Sequence, residues 1–119
     1  MIYGDFWLYC LRLQTDGKFY VGHSYCWPER HKQHETKQGS ALWVQKHGFR
    51  SVYKVFKVKA SSRTAQSYEN DMYMYYARIK GAHNVRGGDV VCACDIIPDY
   101  LLPKEFGGKR EVDWGLPMF

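Results

Sequence analysis

Phe6-Trp7-Leu8-Tyr9-Cys10-Leu11-Arg12-Leu13 runs into Gln14-Thr15-Asp16-Gly17 and out again through Lys18-Phe19-Tyr20-Val21-Gly22. The first run is rich in aromatic and branched residues and contains neither Gly nor Pro, so it reads as a strand. Asp-Gly is a strong hairpin signal, and Lys18–Gly22 reads as the returning strand. Register then matters, because side chains alternate between faces. A loop of two or four residues places Tyr9 and Tyr20 on one face of the sheet, whereas a loop of three separates them.

Working outward, Trp27-Pro28-Glu29 opens a helix, with Pro suited to the first helical position and Glu to the positive end of the dipole. It is expected to run to about Lys37, with Arg30 and His34 four apart on one side. Gln38-Gly39-Ser40 interrupts it, and Ser40 can cap a short helix over 41–46 that ends at His47-Gly48. Residues 51–59 alternate as a strand does. Ser61 or Ser62 caps a long helix to about Lys80, with an apolar stripe of Ala65, Tyr68, Met72, Tyr75, Tyr76 and Ile79. Glu69 lies on the border of that stripe, where an acid needs a reason. Residues 82–89 read as a loop. Residues 90–97 are apolar without a decisive period, and the Pro- and Gly-rich remainder reads as irregular. The order β-β-α-α-β-α makes an α+β (mixed α/β) fold with a three-stranded antiparallel sheet flanked by helices.

At 119 residues the chain has room for one domain, and its 45% hydrophobic content argues against global disorder. No apolar run is long enough to span a membrane, and the first residues lack a basic, then apolar, leader. The expectation is an intracellular protein that is not secreted. Cys10, Cys26, Cys92 and Cys94 fit reduced thiols, since Cys92 and Cys94 are separated by one residue rather than the two of common zinc and redox motifs. The net charge of +5 favours a polyanionic partner.

Taken singly, the chemistry-bearing residues have plain structural readings. Tyr9 and Tyr20 suit half-buried strand positions. Arg30 could form a surface ion pair with Glu29 or Asp71. His34, close to His31, suits a solvated face, and Asn84 before Gly87-Gly88 suits a turn. Taken together, they combine proton-transfer groups, a fixed cation, a hard-metal ligand and a neutral amide, a set suited to phosphodiester hydrolysis.

Their spacing goes further. Over about residues 6–88 the sequence resembles the GIY-YIG nuclease family. Trp7-Leu8-Tyr9 stands for the first signature and Tyr20-Val21-Gly22 for the second, with the two tyrosines eleven residues apart. Arg30 follows Gly22 by eight residues, His34 takes a position held by His or Tyr, Glu69 stands on the long helix, and Asn84 follows that helix. One departure is Trp7 in place of the first signature's glycine, a packing position in the family.

The resemblance implies a DNA endonuclease with a GIY-YIG-like core over residues 1–89. It implies one Mg2+ (or Mn2+) on Glu69, a hard cation that keeps several waters. Tyr9 would act as or orient the general base, Tyr20 and His34 would position water or phosphate, and Arg30 would stabilise the transition state. Asn84 and Gly22 would support the site. A free phenol titrates near 10, so Tyr9 would need Arg30, the metal or a lysine such as Lys18 to lower it. Lys18, Lys32 and Arg86 are candidate DNA contacts. The alternative is a non-catalytic nucleic-acid-binding module on the same fold, although binding alone would not need Glu69. Residues 90–119 are expected to pack on the core through Tyr100, Phe106, Trp114 and Phe119, or to touch DNA.

Overall fold

Asp16-Gly17 closes the hairpin with a loop of four residues: the Leu13 amide donates to the Lys18 carbonyl at 3.0 Å, and Gly17 takes φ 78°. The structure, a computed structural model, describes residues 3–36 and 41–87. Strand β1 (Tyr3–Leu13) pairs antiparallel with β2 (Phe19–Ser24), with Tyr9 opposite Gly22 and Leu11 opposite Tyr20. Tyr9, Leu11 and Tyr20 therefore share a face, as the even-loop register requires.

Helices α1 (Trp27–Thr36) and α2 (Leu42–His47) follow, then β3 (Phe49–Ser61) and α3 (Ser62–Lys80). The N-cap of α2 is Ala41, which makes no side-chain capping bond, rather than Ser40. At α3 the Ser61 hydroxyl accepts from the Thr64 amide, as a cap should. β3 lies antiparallel along the free edge of β1, with register shifts after Cys10 and after Arg12.

Among the described residues the sheet has four strands, not the expected three, in the order β3-β1-β2-β4. β4 (Val85–Arg86) lies parallel to β2, with Val85 opposite Phe19 and Arg86 opposite Tyr20. Two residues carry no periodicity, which is why the sequence alone reads as a loop here. Its close approach depends on Gly87, at φ 144°, where a Cβ would overlap the Val21 carbonyl oxygen.

Each face of the sheet has its own core. Leu8, Cys10, Phe19, Val21 and Phe56 pack under Met72, Tyr73 and Tyr76 of α3. Tyr9, Leu11 and Leu13 pack against Trp43 and Val44 of α2. With both faces covered, β1 reads as a nearly unbroken apolar run. The α3 stripe differs from expectation at its end: Tyr73 and Ala77 are buried, whereas Ile79 is 58% exposed because the last turn overhangs an open cleft.

Cys10 is a buried free thiol and Cys26 a half-buried one. No helix among the described residues is long and apolar enough to cross a membrane. Cys92, Cys94, the tail aromatics and the expected extension at 90–119 lie outside the described residues.

Candidate functional site

Helix α1 carries little apolar surface, and its one buried residue is His34. That side chain is fully buried rather than on a solvated face, because it docks on Tyr9: Nε2 lies 2.8 Å from the Tyr9 hydroxyl. Arg30, one turn earlier on the same side, points its Nε at the same hydroxyl at 3.4 Å. Its Nη1 donates to Gln33 Oε1 at 2.8 Å. The guanidinium also interacts with Tyr20, so neither Glu29 nor Asp71 is needed as its counter-charge. The Tyr20 ring lies 6.4 Å from that of Tyr9 and 5.6 Å from that of His34. Trp27 covers Tyr9, with ring centroids 4.6 Å apart. The hairpin thus presents two phenols on one face, and a single turn of α1 lays a cation and an imidazole over them.

Gly22 makes the arrangement possible. It faces Tyr9 across the strand pair, and a Cβ there would stand 2.5 Å from the Tyr9 hydroxyl. Any side chain at this position would displace the phenol, which is a physical reason for glycine in Tyr20-Val21-Gly22.

Glu69 comes from the middle of α3 and is 7% exposed. Its Oε1 is held at 2.7 Å by His23 Nδ1. Sequence reading gave His23 no role. The signal that could have found it is the alternation of β2, which turns His23 to the Phe19 and Val21 side that α3 covers. Oε2 takes no hydrogen bond from the described residues. A buried carboxylate with one oxygen fixed and the other uncommitted suits a single protein ligand to a hydrated Mg2+ or Mn2+.

Electrostatics sets the protonation states. Burial holds the Tyr9 phenol protonated, well above its ordinary range, and outweighs the opposing pull of Arg30. Tyr20 is pushed up to about 12, first by burial and then by the negative charge of Glu69. Burial lowers His34 to about 3, with the Arg30 charge adding to the effect, so its imidazole is neutral at pH 7. For Arg30 burial opposes the charge, yet the two phenolic oxygens outweigh it and keep the guanidinium protonated. With Arg30 Nε–H donating to the Tyr9 oxygen, the phenolic O–H is left to donate to His34 Nε2, which assigns the Nδ1–H tautomer. The result is a directed chain from Arg30 through Tyr9 to His34. Arg30 also lines a pocket of about 190 Å³ with Ser24, Tyr25, Cys26, Glu29 and Gln33, which opens this end of the cluster to solvent.

The remaining candidates lie elsewhere. The Lys18 amine is bound to Asn84 Oδ1 at 2.8 Å, at the turn end of the hairpin, so it does not tune Tyr9. Asn84 also donates from Nδ2 to the Lys80 carbonyl at 2.8 Å. It ties the end of α3 to the start of β2, and it makes no contact with the Tyr9 cluster. Arg86 is fully buried: its guanidinium stacks 4.0 Å over the Trp43 ring and Nη1 donates to the carbonyls of His83 and Val85. It fastens β4 to α2 and presents no charge to DNA. Lys32 is exposed on α1. Trp7 is half-buried beneath the Lys57 amine, which lies 5.5 Å from its ring. Set beside known protein families, curated proteins and solved structures, the chain matches none.

Proposed function

We propose that this protein is a divalent-metal-dependent DNA endonuclease of the GIY-YIG type, in which Tyr9, Tyr20, Arg30, His34 and Glu69 form the active site. The observation that carries the reading is the Arg30–Tyr9–His34 chain. It is assembled from a strand and a helix, over a glycine that leaves room for the phenol. A scaffold for the hairpin would need neither a fully buried neutral imidazole nor a half-buried guanidinium at a phenol. The acid at position 69 favours the enzyme over a binding module, because an uncompensated carboxylate beside a phosphate site weakens anion binding.

The chemistry follows from the protonation states. Tyr9 is not a preformed phenolate, so it takes a proton from water only as it passes its own to His34 Nε2. Neutral His34 has a lone pair ready to receive that proton. Arg30 stays charged throughout and offsets the negative charge that grows on the phosphoryl oxygens. Tyr20 walls the cluster on the β2 side and interacts with Arg30, holding the guanidinium in place. A Mg2+ held by Glu69 Oε2 and by oxygens of water and substrate would supply Lewis-acid stabilisation of the leaving oxygen. His23 keeps the other oxygen of Glu69 in position.

The test is supercoiled plasmid incubated with and without Mg2+, beside a Glu69→Ala protein prepared identically. Metal-dependent nicking that falls by two or more orders of magnitude in the variant is the expected result. Full activity in the variant would overturn the assignment of Glu69. No cutting by the wild type, together with a salt-sensitive gel shift, would favour the binding module.

A further inference from the structure

A second cluster of charge lies at the other end of the sheet. The last turn of α3 overhangs an open cleft of about 480 Å³ lined by Arg12, Asp16, Phe19, Arg50, Lys80 and Asn84. Arg12 and Phe19 project from the face of the sheet opposite Tyr9, so the cleft is separate from the cluster described above. Its volume lies within the range of small-ligand sites.

Three cations reach this cleft from three elements, Arg12 on β1, Arg50 on β3 and Lys80 on α3, against the single acid Asp16. Among the described residues none of the three forms an ion pair with a carboxylate. Aromatic rings hold two of them instead. Arg12 Cζ lies 5.2 Å from the centre of the Tyr53 ring, and Lys80 Nζ lies 5.1 Å from the same ring and 5.0 Å from Phe19. Cation–π contact fixes the position of a charge without neutralising it. The dipole of α3 accounts for a lysine in its last turn, but not for two arginines on strands. Two of the last carbonyls of the helix are moreover already taken, that of Lys80 by Asn84 Nδ2 and that of Ala77 by the Gly81 amide. Like charges gathered in this way repel one another, and an anion between them relieves the repulsion. Two guanidinium forks and an ammonium suit tetrahedral oxyanions.

We propose that this cleft is a phosphate-binding site, and that the phosphate it takes belongs to a nucleic-acid backbone. The chemistry is shared with free phosphates, so the experiment separates the two sources. The inference does not rest on the nuclease reading, and it holds for a binding module equally.

Binding of a fluorescent duplex oligonucleotide would be followed by anisotropy in EDTA over a series of salt concentrations. The proteins are wild type, Arg50→Ala/Lys80→Ala, Arg50→Glu and, as a control for lost charge, Lys59→Ala, whose amine is already paired with Asp5 at 2.7 Å. Inorganic phosphate and adenosine triphosphate would be titrated calorimetrically into the same proteins. The double variant is expected to bind DNA roughly five- to tenfold more weakly per lost contact at about 0.1 M salt, with a salt slope shallower by roughly two. The control should change far less. Loss of phosphate or triphosphate binding in the double variant, with DNA affinity intact, would keep the site and overturn the backbone as its source. Unchanged binding of all three probes would overturn the proposal. Arg50 is exposed, so Arg50→Glu alone decides the matter if the double variant fails to fold.

Discussion

A methyl group on Gly22 would meet the hydroxyl of Tyr9 at 2.5 Å, inside any tolerable contact. The Gly22→Ala protein must therefore swing the phenol away from Arg30 and His34 or spread β1 from β2. Overpacking of this kind costs about 1–3 kcal/mol, readable as a lower urea midpoint. Plasmid nicking should fall further than stability alone explains, because the hydrogen-bonded chain is broken even in the folded fraction. His23 supports a second expectation at this scale. Its Nδ1 fixes one oxygen of Glu69, so His23→Ala should weaken Mn2+ binding by about 10- to 100-fold in calorimetry. His23→Asn, whose amide nitrogen falls near the place of Nδ1, should restore most of it, whereas a merely space-filling role would give no such rescue. The grouping of Tyr9, Tyr20, Arg30 and His34 was legible because a hairpin and the helix after it fix their spacing, while Glu69 enters as a candidate from its place on α3. His23 was not, since its partner is 46 residues away and nothing local marks it. Arg86 misled for a related reason: composition counts it as surface charge, and only the fold places Trp43 beneath it.

Among the elements, α3 was the most legible, announced by a serine cap, a 3.6-residue period and a terminal Gly. The Ser61 hydroxyl accepts from the Thr64 amide at 3.2 Å and lies 3.0 Å from the Thr64 hydroxyl. Ser61→Ala should cost about 0.5–2 kcal/mol in denaturant unfolding. Because α3 carries Glu69 from its middle, metal affinity should fall much less than stability, which separates fraying of the helix from damage to the site. Helix α1 shows the limit of periodicity. It has almost no apolar face, and it docks through Trp27 over the Tyr9 ring and through His34 at the Tyr9 hydroxyl, the latter an interaction that hydropathy does not register. The two-residue strand β4 shows another limit, because it exists only through its pairing with β2 and the freedom of Gly87.

Across the whole molecule, the buried imidazole couples stability to pH. His34 is lowered to about 3 in the fold, against about 6.5 for an ordinary histidine in the unfolded chain. Between those values the unfolded chain binds one more proton than the folded one, so stability rises with pH through the window. The contribution is complete above about pH 6.5 and is lost progressively as pH falls towards 3. One group gives at most about 1.4 kcal/mol per pH unit. Urea melts at pH 7, 6 and 5 should show declining stability, and His34→Gln should flatten the decline. The net charge of +5 is equally plain from composition, but that Arg12, Arg50 and Lys80 meet at one cleft required the fold.

The central position of β1 also bears on how the protein is made. β1 lies between β2 and β3, and its second edge is covered only when β3, up to Ser61, has been synthesised. Tyr9, Tyr20, Arg30 and His34 all emerge within the first 36 residues, before that partner and before the helix bearing Glu69. A growing chain thus carries its phenols, imidazole and guanidinium early, on a hairpin with both edges open, one awaiting β3 and the other β4. Until α3 arrives the ribosome-bound chain lacks the Glu69 carboxylate, so the candidate site is completed only late in synthesis.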